Sequence, residues 1–226
     1  MFSTWEVTPL GNEITKLKQL LLRMASLAEG MVQKSVRSLV ERDDDLARAV
    51  VGDDEKLDQL EIEIDEASIR LLTKAPLAGQ LRLIAVVLKL TRDLERVGDE
   101  STTIARRALA LGKEPQLRSY ASILRMMELA TAMLSGALDA FVHGDTVRAR
   151  LIILQDKQVD ALNRQLQGEL TDRMVVDPGS IPRCLHLMTT SKALERIGDH
   201  AKNIAEEAVY LYEAQDIRHP GKLTLK

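Results

Sequence analysis

Apolar residues recur at steps of three and four along most of the chain. Leu83, Val87, Leu90, Leu94, Val97, Ser101, Ile104, Ala108 and Leu111 fall on one stripe of a helix. Leu46, Val50, Leu57, Leu60, Ile64, Ala67 and Leu71 form a second stripe, interrupted by Asp53. Extended over the chain, the pattern predicts six long helices, over 12–42, 44–75, 78–112, 116–143, 145–176 and 180–216, and no strand. Prolines punctuate it. Pro9 precedes the first segment, and Pro76, Pro115 and Pro178 fall in breaks. Pro182 lies in a first turn, where a missing N–H is harmless. Pro220 sits in a short tail, His219-Pro220-Gly221, that ends the pattern. Asp43 and Asp145 stand where an aspartate can cap the free N–H groups of segments two and five. Amphipathic helices joined by short connections make antiparallel bundles. The expected fold is all-α.

The chain repeats itself. Shifted by 102 positions, Met24, Leu27, Ala28, Met31, Val40, Asp43, Ala47, Arg48, Asp54, Asp58 and Leu60 fall on identical residues without a gap. Beyond the central hairpin of each half the offset becomes 100. Leu94-Glu95-Arg96-Val97-Gly98-Asp99 then matches Leu194-Glu195-Arg196-Ile197-Gly198-Asp199. Apolar spacing can coincide by accident, but Glu-Arg-x-Gly-Asp at matched depth does not. The chain reads as a tandem duplication of a three-helix unit, divided at 1–113 and 114–226.

Composition agrees and narrows the class. Aromatics are 3% of residues and charged residues 29%, a balance that suits helices more than sheets. A single cysteine, Cys184, excludes an internal disulfide and suits a reducing compartment. The net charge of −3 carries no nucleic-acid footprint. In its densest region the apolar run is six residues, Leu83–Leu88, where a membrane span needs about 20. The opening Met1-Phe2-Ser3-Thr4-Trp5-Glu6 has no basic flank leading into an apolar stretch, so no secretory signal is expected. These readings predict a cytoplasmic protein.

Each unit carries two acidic pairs spaced i, i+4. They are Asp54/Asp58 with Glu95/Asp99, and Asp156/Asp160 with Glu195/Asp199. In an antiparallel hairpin, residues equidistant from the turn lie side by side. Asp54 is as far from the turn as Asp99, and Asp58 as far as Glu95; the second unit repeats both relations. Two helices thus bring four carboxylates to one level, twice. Such a quartet repels itself unless a cation neutralises it, and all-oxygen donors suit Mg²⁺, Ca²⁺, Mn²⁺ or iron. Glu95 and Asp99 point away from the apolar stripe, which predicts sites on the bundle's surface. The competing reading is ion pairing, because Arg92 and Arg96 precede Glu95 and Asp99 by three residues, as Lys192 and Arg196 do in the second unit.

Other candidates carry less. His200 follows Asp199, but its counterpart is Glu100, so it is no duplicated ligand; an ordinary surface histidine is expected. His143 and His186 read as structural, and Cys184 has no second cysteine or triad around it. Gly98 and Gly198 are not a phosphate loop and suit close approach of a helix or an ion.

With Leu194-Glu195-Arg196-Ile197-Gly198-Asp199-His200-Ala201-Lys202-Asn203-Ile204-Ala205 and its counterpart at Leu94–Ala105, the chain resembles the PhoU family from about Glu13 to Tyr212. The resemblance implies two three-helix bundles related by a pseudo-twofold axis. It implies multinuclear metal clusters, iron or zinc for example, on Asp54, Asp58, Glu95 and Asp99, and on Asp156, Asp160, Glu195 and Asp199. After Asp99 the first unit reads Glu-Ser-Thr-Thr where the second reads His-Ala-Lys-Asn, a departure that sets the two sites apart. The implied role is non-enzymatic. Such proteins connect a phosphate-importing ABC transporter to a sensor histidine kinase, as homodimers or larger assemblies, and repress the starvation response when phosphate is plentiful. The alternatives are a metal-dependent enzyme acting through water on a phosphorylated substrate, and a metal buffer.

Overall fold

A computed structural model of the protein describes residues 9–75, 77–117 and 121–218. Six helices follow one another: α1 (Pro9–Glu41), α2 (Asp44–Leu72), α3 (Ala78–Leu111), α4 (Ala121–His143), α5 (Thr146–Val176) and α6 (Ile181–Glu213). A single 3₁₀ turn, Pro178–Ser180, precedes α6, and Pro182 lies in the first turn of that helix. Among the described residues there is no strand. The breaks expected at Pro76 and Pro220 lie outside the described residues. The Oδ1 of Asp43 accepts from the Leu46 N–H at 2.9 Å and that of Asp145 from the Arg148 N–H at 2.9 Å, so both expected caps are formed. The residue before each cap is left-handed. In the first unit it is Arg42 (φ 57°) and in the second Gly144 (φ 71°). Arg42 tolerates the strain while its guanidinium donates to the carbonyls of Gly112 and Glu114 at 2.6 and 2.8 Å.

Helices α1–α3 pack on one another, and so do α4–α6; α3 then packs along α6, and α1 on α4. The result is two tandem three-helix bundles with one continuous core. The expected stripe of α3 is buried throughout, but Ile84, Val86, Thr91, Gly98, Thr102 and Ala105 are buried too. The stripe widens because α3 faces α1 and α2 on one side and α6 on the other. In α2 the interrupting Asp53 belongs to the buried face, held by Lys34 of α1 at 2.8 Å and by Lys56 at 2.6 Å. Leu46 and Ala67 are only half-buried. One helix among the described residues, α4, is long and apolar enough to match a membrane span, which the six-residue run at Leu83–Leu88 did not disclose. Its Ile123, Met126, Ala130, Met133, Ala137 and Phe141 are buried in the bundle core.

The α3–α6 seam is antiparallel and carries the polar contacts that join the units. Asp93 meets His200 Nδ1 at 2.8 Å and Asn203 Nδ2 at 3.1 Å. Lys89 donates to both oxygens of Glu207, at 2.9 and 3.0 Å, and Arg196 reaches Glu100 at 3.0 Å. His200 is thus no ordinary surface histidine but an inter-unit contact.

Candidate functional site

Each acidic pair sits one helical turn apart on its helix, and each hairpin brings two pairs into one groove. In the first unit the groove lies between α2 and α3. Burial raises the Asp54 carboxyl, and so do the charges of Asp58 and Asp99, while Thr102 and Arg106 pull it down. Burial likewise pushes Glu95 up to about 7, aided by Asp99 and Glu61 and opposed by Arg96. Glu61 is itself raised by burial and by Asp65 and Asp58. Asp54 therefore faces Asp99 as expected, whereas Glu61 supplies the charge that Glu95 feels from α2. Glu61 stands three residues after Asp58 and so shares its face, but its counterpart is Asn163, and a search for duplicated acids passes over it.

In the second unit the groove lies between α5 and α6. Burial raises Asp199, with Asp156, Glu195 and Asp160 adding to the effect and Lys202 opposing it. Asp199 thus feels the charge of the other three expected acids. Asp156 is only 6% exposed. Its Oδ2 accepts from Lys202 Nζ at 2.8 Å, and its buried Oδ1 has no partner. Asn163, in place of the first unit's Glu61, accepts from the Ser191 hydroxyl instead.

Two expectations need correction. The clusters lie at the surface only in part: Asp58 is exposed and Asp99 about half so, whereas Asp156 is buried and the Glu195 side chain is 12% exposed. Measuring direction from one stripe misses this deeper part, because α3 buries more than one face. Ion pairing is also only partly as expected. Arg96 holds Glu95 at 3.3 Å and Asp99 at 2.9 Å, and Lys192 holds Glu195 at 2.7 Å. Arg196 instead crosses to Glu100 of the first unit. With these lysines and arginines in place, no three carboxylate, imidazole or thiolate groups are drawn around one ion position among the described residues.

The donor chemistry nonetheless fits a hard cation. Every donor is oxygen, the carboxylates repel one another, and a buried oxygen of Asp156 is unpaired. The remaining candidates are structural. Cys184 is buried with its Sγ 3.6 Å from Ser180 Oγ, and His143 bonds the Asp139 carbonyl at 2.9 Å. Burial and the charge of Arg107 lower His186. Gly98 admits a helix rather than an ion. A Cβ there would run into Leu57 Cδ2 of α2, whereas one at Gly198 would meet Val159 at an ordinary 3.6 Å.

The PhoU domain family matches this sequence twice, over residues 21–108 and again over 123–208, and each match holds one cluster. This chain belongs to the PhoU family. A phosphate-specific transport system accessory protein PhoU homolog from Pseudomonas putida is 40% identical over 92% of this chain and 82% of its own length. A homolog of the same description from Aquifex aeolicus is 37% identical over 93% of this chain and 96% of its own. The crystal structure of PhoU from Pseudomonas aeruginosa superposes with a TM-score of 0.89 at 37% identity, covering 91% of this chain and 99% of that one. The phosphate transport system regulatory protein PhoU from Streptococcus pneumoniae gives 0.86 at 29% identity, covering 92% and 99%. The tandem-bundle fold is thus the PhoU fold over nearly the whole chain.

Proposed function

We propose that this PhoU-family chain regulates phosphate uptake and the phosphate-starvation response as a cytoplasmic adaptor rather than an enzyme. It links the ATPase subunit of a phosphate ABC transporter to a sensor histidine kinase, represses the response when phosphate is plentiful, and works as a homodimer. The observation that carries this reading is agreement over nearly the full length with accessory and regulatory proteins of phosphate transport, in sequence and in fold. Six packed helices present long surfaces, which are compatible with protein–protein contact.

In the same proposal each repeat binds metal ions. Asp54, Asp58, Glu95 and Asp99, joined by Glu61, would hold one set, and Asp156, Asp160, Glu195 and Asp199 the other. A bound multivalent ion would supply positive charge that removes the repulsion among these acids and clamps the two helices of a hairpin. The orphaned oxygen of Asp156 and the raised Glu95 and Asp199 carboxyls support this reading over closed salt-bridge networks.

Deleting the gene should derepress phosphate-starvation genes in phosphate-replete cells, and the wild-type chain should restore repression. Transcript levels are the readout. Normal repression in a deletion strain lacking any paralogue sinks the adaptor reading.

A further inference from the structure

The two carboxylate clusters descend from one duplicated unit, yet they do not carry the same neighbours. At the position where the second cluster has Lys202, the first has Thr102. Lys202 sits inside its cluster. Its ammonium lies 2.8 Å from Oδ2 of the buried Asp156, and it also feels Asp199 and Glu206. Thr102 is 3% exposed and stands beside Asp54, and its Oγ1 has no other partner. It offers a neutral oxygen where its counterpart offers a positive charge. Glu61 adds a fifth acid to the first cluster, where the second has the neutral Asn163, already bonded to Ser191.

The cations bonded directly to each cluster differ in the same direction. Among the described residues the first cluster is bonded directly by one cation, Arg96, whose side chain is 50% exposed and which pairs with Glu95 and Asp99, while Arg106 acts on Asp54 and Arg92 on Glu61 through charge alone. The second is held by two, Lys192 on Glu195 and Lys202 on Asp156. An incoming ion can displace Arg96 into water. To use Asp156 fully it must expel Lys202 from a groove in which that lysine has its best partner.

We infer that Lys202 is a tethered cation that competes with metal in the second repeat, so that the clusters fill in order, the first repeat at lower ion concentration than the second. The inference rests on the ion-binding reading proposed above. It makes a graded device from a duplicated one: a single ion concentration can leave one hairpin clamped and the other held only by its lysine.

The test is a Mn²⁺ titration of the full-length chain, with free Mn²⁺ followed by its electron paramagnetic resonance signal. Wild type should show two classes of site. Asp99→Asn should remove the tighter class, and Asp199→Asn the weaker. Lys202→Thr, which copies the first repeat, should tighten the weaker class about tenfold or more, because one unit charge leaves a partly buried site. Lys202→Gln keeps most of the stem and a hydrogen-bond donor, and should move the class the same way, separating charge from packing. A shift below tenfold in both Lys202 variants overturns the inference, as does loss of the tighter class on Asp199→Asn. Two equal classes in wild type also overturn it and leave ion binding standing. If wild type and both Lys202 variants take up no Mn²⁺, the ion-binding reading falls, and the ordering falls with it.

Discussion

Adjacent carboxylates meet opposite fates in α2. Burial would raise Asp53, but hydrogen bonds from Lys34 and Lys56 override it and hold the carboxyl low. One residue on, Asp54 turns into the acid groove, and burial and like charge push it up. Glu95, at the same groove, is displaced furthest, from 4.5 to about 7. Below pH 4.5 the folded and unfolded chains both hold this proton, and Glu95 imposes no penalty. Between 4.5 and 7 only the folded chain keeps it, so stability falls as pH rises, and above 7 the penalty is complete. Without metal, Glu95→Gln should therefore match wild type at pH 4 and melt higher at pH 8. Solvent at this half-open site limits the gain to about 1 kcal/mol, or about 2–4 °C. Melting curves from pH 4 to 8 in chelator check it, and an unchanged pH slope would contradict it. The pairs themselves were legible as duplicated i, i+4 acids. Glu61 and Lys202 were not singled out, because a repeat comparison selects what two units share and each of these belongs to one.

At the scale of the helix, periodicity and punctuation located all six helices, although α4 begins at Ala121 rather than 116 and the 3₁₀ turn before α6 was not foreseen. The ends of α1, α2, α3 and α5 fall within a few residues of expectation, because caps and turn residues are local chemistry. The end of α6 comes at Glu213 rather than 216, where Ala214 adopts the left-handed conformation at φ 56°. How closely the helices approach was not written in either helix alone. Gly98 is a glycine because Leu57 of α2 fills the space of its missing side chain, while the smaller Val159 leaves Gly198 room for a methyl group. The same substitution should thus have opposite effects in the two units. Gly98→Ala forces an extra methyl group against a fully buried leucine and should destabilise by about 1–3 kcal/mol. Gly198→Ala fits, and better helix propensity should stabilise by about 0.5–1 kcal/mol. Urea unfolding of both variants decides it; equal effects would mean that the α2–α3 packing is misplaced.

Across the whole molecule the units share one core and are joined by charge at the α3–α6 seam. Glu207 is 5% exposed and is held by Lys89 from the other unit and by Arg218 at 3.4 Å from beyond the end of α6. Removing Lys89 leaves that carboxylate buried with one weaker partner. Lys89→Ala should lower stability by about 1.5–3 kcal/mol, and unfolding should stay a single transition, because the core is continuous. Two resolved transitions in denaturant, one per unit, would count against this seam.

By itself the sequence determined the class, the six helices, the caps of α2 and α5, and the duplication. Each of these depends on residues within a turn or two of one another, or on comparison of the chain with itself. Tertiary structure decided what faces what. That Asp93 takes His200 and that Arg196 leaves its own cluster for Glu100 both follow from α3 packing along α6. Those partners lie about a hundred residues apart, and no local period encodes which faces of two amphipathic helices will meet once both units have folded.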